Sequence, residues 1–319
     1  MVPAAAGASG RSRPDPSVGL ADPLVGLAYP DPVTSEPASA AVTDLRVWKG
    51  HGTENDFVLI PDLQATLPMS DSLVRALCDR RAGVGADGVL RVTRTALAVE
   101  PAVRELAGGA EFFMDYRNHD GSVAEMCGNG VRVVARWLQQ AGLAGDRVQL
   151  ATRGGIKSIG FDGDEITVAM GRACVQPERP TVAGLLPGVA VTMPNPHVVV
   201  ELADERQLAE LDLSRPPVVE PPLPDGQNVE FFVRRGAGRL VMRVHERGVG
   251  ETRSCGTGIC AVAVAAAGEQ TGPGNWLVEV PGGRCTVSWD DPSGTITMSG
   301  PAVLVGEITL DRHWLAAHC

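Results

Sequence analysis

Beyond residue 43 the apolar positions fall into short alternating runs broken by stretches of helical period. DLRVWKGHGTENDFVLI (44–60) reads as strand, polar loop, strand. SDSLVRALCDR (70–80) carries a helical period, with Ser70 or Asp71 as its N-cap. AEFFMDYRNHDGS (110–122) is a strand running into an Asn-His-Asp-Gly turn, and VRVVARWLQQAG (131–142) is a helix closed by glycine. RVQLATRGGIKSIGFDGDEITVAMG (147–171) gives three short strands turned at Gly-Gly and Asp-Gly. The same order then returns. MPNPHVVVEL (193–202) is a strand entered through a Pro-Asn-Pro turn, and NVEFFVRRG (228–236) and RLVMRVHERG (239–248) are strands. GICAVAVAAAG (258–268) is a helix closed by glycine, and residues 275–300 give three more strands around another Gly-Gly turn.

Two cysteines align the halves. EMCGNG (125–130) and RSCGTG (253–258) each place one cysteine before a Gly-polar-Gly turn, and each cysteine precedes a Gly-Gly pair by 27 residues (Gly154-Gly155 and Gly282-Gly283). ITVAMG (166–171) then matches ITMSG (296–300). Cysteine, glycine pair and closing strand at one spacing imply an internal duplication. The predicted fold is α/β (α+β), with two similar domains facing each other across a cleft that brings Cys127 and Cys255 together. A Cys-Gly-X-Gly turn opening a helix puts the sulfur at the helix N-terminus, where unpaired N–H groups and the macrodipole favour anions. That position is expected to lower the thiol pKa. Two thiols on opposite sides of one carbon suit stereoinversion, in which one removes a proton and the other returns one. Donors aimed at a carboxylate would stabilise the enolate-like charge that develops.

Composition narrows the field. A net charge of −10 and a pI near 5.1 argue against a nucleic-acid partner. No apolar run spans a bilayer and no signal core opens the chain, so a cytoplasmic location and no membrane association are expected. The seven cysteines are odd in number and have no metal-ligand spacing, which argues against both a disulfide framework and a metal site. Cys78, Cys174, Cys260 and Cys285 read as ordinary buried residues, and Cys319 as an exposed terminal one. The only lysines, Lys49 and Lys157, have no pyridoxal phosphate context, and GVGADG (83–88) lies between a helix and a strand, not at a dinucleotide fingerprint, so no cofactor is expected. Residues 1–43 are rich in Ala, Pro, Gly and Ser and read as a disordered tail.

The blocks KGHGTENDFVLI, DRRAGVGADGVL, NHDGSVAEMCGNGVR, NPHVVV, NVEFF, ERGVGETRSCGTG and PGGRCTVSW stand in the order seen in diaminopimelate epimerases, and after the tail the chain resembles that family over nearly its whole length. The resemblance implies a pyridoxal-independent isomerase that interconverts LL- and meso-diaminopimelate for lysine and peptidoglycan precursors. It implies two pseudo-symmetric domains, each a β-sheet wrapped around a central helix. Residues 44–176 would form the first domain, joined by a C-terminal strand near 304–319, and 177–303 the second. Cys127 and Cys255 would be the acid/base pair, with Gly128, Asn129, Gly256 and Thr257 lining the helix ends that hold the reacting centre. Asn55, Asn118, Asn195 and Asn228 match the family's substrate-binding asparagines. Glu246 and Arg247 match residues near the substrate's polar groups, and His197, like Glu246, would assist the reacting site. Glu54 stands where a glycine is usual, and Gly88 where some members have a substrate-contacting glutamine. The expected partner is the small-molecule substrate; a homodimer is one assembly the chain allows. Three other readings stay open at this point: a proline or hydroxyproline racemase, a thiol-disulfide oxidoreductase, and a non-enzymatic amino-acid binder.

Overall fold

The computed structural model describes residues 45–184, 186–224, 226–268, 273–290 and 294–318. The alternating runs of the first half form seven strands: β1 (Arg46–Gly52), β2 (Asn55–Pro61), β3 (Gly88–Arg94), β4 (Phe112–Asn118), β5 (Arg147–Thr152), β6 (Gly155–Asp162) and β7 (Glu165–Gly171). They pair in chain order, parallel at β2–β3 and β4–β5 and antiparallel elsewhere. A parallel pair needs a crossover, and helices supply it. α1 (Asp71–Cys78), capped by Ser70, carries the chain from β2 to β3, and α2 (Gly128–Gln140) from β4 to β5.

The second half repeats this plan with β8 (Leu186–Met193), β9 (Asn195–Glu201), β10 (Asn228–Arg234), β11 (Arg239–Glu246), β12 (Gly274–Val280), β13 (Gly283–Trp289) and β14 (Ile296–Pro301). Its parallel pairs are β9–β10 and β11–β12, the counterparts of those in the first half. α3 (Glu205–Glu210) and α4 (Gly256–Ala267) occupy the matching crossovers. β7 pairs antiparallel with β14, so the halves share one sheet. A last strand, β15 (Val303–Thr309), returns to pair with β1.

Each half of the sheet curls around its own helix. α4 is buried along nearly all of its length and has no polar face, which requires a surround of apolar side chains on every side. α2 contributes Val131, Val133, Val134, Ala135, Trp137 and Leu138 to the same core, together with Arg132, which is also fully buried.

Several expectations are corrected. The two long helices begin at Gly128 and Gly256, earlier than the apolar period suggests, because glycine has low helix propensity and its helical placement rests on packing. LPGVAVTM (186–193), with its internal Pro-Gly, forms a strand the sequence reading did not mark. The segment after 303 is a strand to Thr309 and then a short helix, Arg312–Ala316, capped by Asp311. Cys174 is exposed, because it lies in a two-residue strand at the surface whose residues both face solvent. The tail expected at 1–43 and Cys319 lie outside the described residues.

Candidate active site

Cys127 is the N-cap of α2 and Cys255 the N-cap of α4, both with extended backbone. The Gly130 N–H donates to Cys127 Sγ at 3.5 Å. Cys255 Sγ makes no such cap among the described residues and lies 3.5 Å from Thr257 Oγ1. The helices meet tip to tip. A Cβ on Gly256 would stand 3.2 Å from Gly128 Cα and 3.3 Å from Asn129 N, and one on Gly128 would meet Met170 Cε at 2.8 Å. A side chain at Gly256 would press on the backbone of the opposing helix start, so glycine suits this close approach. Two helix N-termini facing each other place two positive dipole ends together, an arrangement that an anion between them relieves.

Both thiols open on one cavity of about 160 Å³. That is below the ~300 Å³ at which pockets for drug-sized ligands begin, so it suits a compact ligand. Gly128, Gly256 and Thr257 form its helix-end wall, and Asn55, Asn118, Asn195, Asn228, Glu246 and Arg247 all reach it. Two of the residues singled out in the sequence do not line it. The Asn129 side chain is fully buried: its amide NH₂ donates to Asn55 Oδ1 (3.1 Å) and Ser254 O (3.1 Å), and its oxygen accepts from Arg132 (2.9 Å). His197 is also fully buried, between Glu230 Oε1 (Nδ1, 2.7 Å) and Asn195 Oδ1 (Nε2, 3.0 Å). The sequence reading in turn passed over Asp87, Tyr116 and Thr252, which line the cavity. Asp87 accepts from Asn55 Nδ2 at 2.8 Å. Its one sequence signal was its place in the GADG turn. A larger cavity, about 960 Å³, adjoins this one through Asp87, Val249 and Thr252 and is walled by charged side chains such as Lys49, Asp56 and Arg80. It holds neither cysteine of the pair, so the chemistry belongs to the smaller cavity.

Residues 47–175 and 189–305 match the sequence model for diaminopimelate epimerase. The chain belongs to the diaminopimelate epimerase family. It is 50% identical over 289 residues to the diaminopimelate epimerase of Streptomyces coelicolor, covering 86% of this chain and 98% of that protein. It is 51% identical over 273 residues to that of Thermobifida fusca, covering 82% and 97%. Among solved structures, a phenazine biosynthesis protein from Bacillus anthracis superposes with a TM-score of 0.63 at 15% identity, over 85% of this chain and all (100%) of that one. A hydroxyproline epimerase from Agrobacterium vitis, solved with trans-4-hydroxy-L-proline bound, gives 0.58 at 17% identity, over 84% and 93%. These two share the fold. The family is one of isomerases, and among the described residues no helix is long and apolar enough to cross a membrane.

The electrostatics of this member of the epimerase family correct one expectation. Enclosure in the cleft pushes the Cys127 thiol up to about 11, the Glu246 carboxylate adding to the rise and the N–H groups of Gly130 and Asn129, with Arg132, opposing it. Burial raises Cys255 well above the ordinary thiol value, and the carboxylates of Glu246 and Glu230 add to it. The helix ends lower both thiols as expected, but desolvation outweighs them. Burial also lifts the Glu246 carboxyl to about 7, against hydrogen bonds from Thr252 and Cys255.

Proposed function

We propose that this protein interconverts LL- and meso-2,6-diaminopimelate by direct proton transfer at one α-carbon, with Cys127 and Cys255 as the two bases. The observation that carries the reading is the tip-to-tip contact of the α2 and α4 starts, which opens both thiols on one small cavity. Family membership supports the substrate.

In this reading the α-carboxylate sits between the two helix N-termini, where backbone N–H groups receive it without reorganisation. One cysteine enters the reaction as thiolate and the other as thiol. The thiolate takes the α-proton, so a C–H bond breaks and an S–H bond forms. The opposing thiol delivers its proton to the other face and becomes the thiolate. Atoms and charge balance, the configuration inverts, and the reverse reaction uses the same groups with roles exchanged. With both thiols held high by burial, the substrate's α-ammonium is the natural stabiliser of the thiolate, by the attraction of opposite charges. Glu246 faces that ammonium, Arg247 serves the second carboxylate, and Asn55, Asn118, Asn195 and Asn228 supply and organise neutral amide partners. Asn129 acts through its backbone and by holding Asn55, and His197 from behind Asn195. No cofactor takes part. The thiols must stay reduced, which fits a cytoplasmic site of action.

Proton NMR of LL-diaminopimelate in deuterated buffer tests the reading. The α-proton signal is expected to disappear as the meso isomer forms. Cys127→Ser and Cys255→Ser are each expected to lose at least about a hundredfold in turnover while remaining folded. Persistence of the α-proton, or its exchange only in proline or hydroxyproline, would overturn the substrate assignment.

A further inference from the structure

The two halves match strand for strand, so each shows what the other leaves out. Gly88 and Asn228 hold one position: Gly88 opens β3 beside Phe57 of β2, and Asn228 opens β10 beside His197 of β9. Tyr116 and Val244 hold another: Tyr116 lies opposite Leu90 on β4, and Val244 opposite Glu230 on β11. The second half therefore carries an amide and a small apolar residue where the first carries a glycine and a tyrosine. The packing links the two changes. A Cβ on Gly88 would stand 2.8 Å from Tyr116 Cε2 and 2.5 Å from Arg117 O. The Tyr116 ring thus lies over Gly88, in the direction a side chain at 88 would take. Phe57 packs edge-on against that ring, the centroids 5.9 Å apart and the planes at 83°.

Hydrocarbon and backbone hold the ring, but the hydroxyl is left over. Tyr116 lines the cavity that holds both cysteines, and its hydroxyl has no hydrogen-bond partner among the described residues. Burial holds this phenol well above its ordinary value, and Cys127, Glu246, Asp87 and Cys255 add to the rise. All four line the same cavity, so the hydroxyl lies among them and keeps its proton at neutral pH. An enclosed tyrosine ordinarily finds a partner for its hydroxyl, and phenylalanine would cover Gly88 with the same ring. A bare hydroxyl here costs desolvation that nothing in the described chain offsets; a ligand would offset it. Charge selects the ligand group. Asp87 and Glu246 repel a carboxylate and draw a cation. A phenol oxygen accepts from an ammonium and still has its own proton to give to a neighbouring carboxylate.

We propose that Tyr116 is a further substrate-contacting residue, whose hydroxyl, carried over the bare Gly88, accepts a hydrogen bond from a substrate ammonium group beside Asp87 and Glu246. The proposal rests on reading the cavity as the diaminopimelate site. It also gives Gly88 a reason: a side chain there would displace the ring that carries the hydroxyl.

The full chain has two tyrosines, Tyr29 and Tyr116, so labelling tyrosine with ¹³C at Cζ gives two signals, which Tyr29→Phe assigns. Diaminopimelate at saturation is expected to move the Tyr116 signal. Pimelate, the same dicarboxylate without ammonium groups, is expected to leave it in place. Tyr116→Phe keeps the ring and is expected to melt with the wild type. It should raise KM for diaminopimelate about tenfold, the scale of one hydrogen bond to a charged group, and change kcat much less. A Tyr116 signal that diaminopimelate does not move would overturn the proposal, as would one that pimelate moves equally, or an unchanged KM in the variant. The signal is read in protein that retains Tyr116, so it decides the matter even if Tyr116→Phe fails to fold. Loss of the substrate α-proton in the same wild-type sample judges the substrate reading separately. Exchange with an unmoved Tyr116 signal sinks this proposal alone, and no exchange sinks both.

Discussion

The two cysteines at the helix starts are equivalent by sequence position and unequal by surroundings. Both feel the Glu246 carboxylate, but Arg132 offsets it at Cys127, whereas Glu230 adds to it at Cys255. Glu246 itself makes a residue-scale prediction. The folded carboxyl holds its proton up to about 7, against 4.5 for the free group. Between those values the folded state binds more protons than the unfolded one, so this group's contribution is full below 4.5 and is lost as pH rises through about 7. Glu246→Gln has no such titration. Its melting temperature should gain on that of the wild type as pH rises across this window. A constant difference across it would mean that Glu246 ionises at the ordinary carboxylate value. Little of this was legible in the sequence. The HERG block marked Glu246 as polar and near a turn, but not its enclosure in the cavity wall, where Thr252 and Cys255 hydrogen-bond to it.

At the scale of elements, the two glycines that close the Cys-Gly-X-Gly turns differ in what presses on them. Gly130 faces the methyl tips of Leu90, which can rotate away, whereas Gly258 faces the Glu230 carboxylate at 2.6 Å and its Cγ and Cδ at 3.2 Å. Alanine gains roughly 1 kcal/mol over glycine inside a helix, and overpacking a buried site costs about 1–3 kcal/mol. Gly130→Ala is therefore expected to stay within about 1 kcal/mol of wild-type stability, and Gly258→Ala to fall by about 2 kcal/mol, in urea unfolding. Equal losses would mean that the Glu230 side chain moves as freely as Leu90. The strands and helix bodies were legible because their periods are local: VRVVARWLQQ and GICAVAVAAA declare a helix without help. The sequence also set each cysteine at a helix start; what it did not show is that GNG and GTG belong to the helices themselves, where backbone meets backbone.

At the scale of the molecule, the halves are joined where β7 meets β14, with Thr167 Oγ1 2.6 Å from Ser299 Oγ. They are joined again at Arg132. This fully buried guanidinium donates to Thr53 Oγ1 (3.2 Å) and Asn129 Oδ1 (2.9 Å) in the first half and to Pro301 O (3.2 Å) at the end of β14. Among the described residues no carboxylate pairs with it. Arg132→Met would leave the buried Asn129 oxygen without its donor, at about 1–3 kcal/mol. A stability loss on the order of 2 kcal/mol is expected from its denaturant midpoint. In the wild-type protein, single-tryptophan variants retaining Trp137 or Trp276, one in each half, should report the same unfolding midpoint. Separate midpoints would mean that the halves unfold independently and that the shared strand pairing does not couple them.

The sequence by itself determined the duplication, most of the strands and the two long helices, the meeting of Cys127 with Cys255 and, through its motifs, the family. Those follow from periodicity, turn chemistry and repetition, which are properties of neighbouring residues. Only the tertiary structure decided that Asn129 and His197 stand behind the cavity wall, that Asp87 and Thr252 are part of it, and that burial outweighs the helix ends at both thiols. Such outcomes depend on groups far apart in the chain. Thr53 and Ser254, 201 residues apart and 2.6 Å from each other, meet beside Asn129, behind the cavity wall. Desolvation and hydrogen-bond sense are set by contacts of that kind, and no local pattern encodes them.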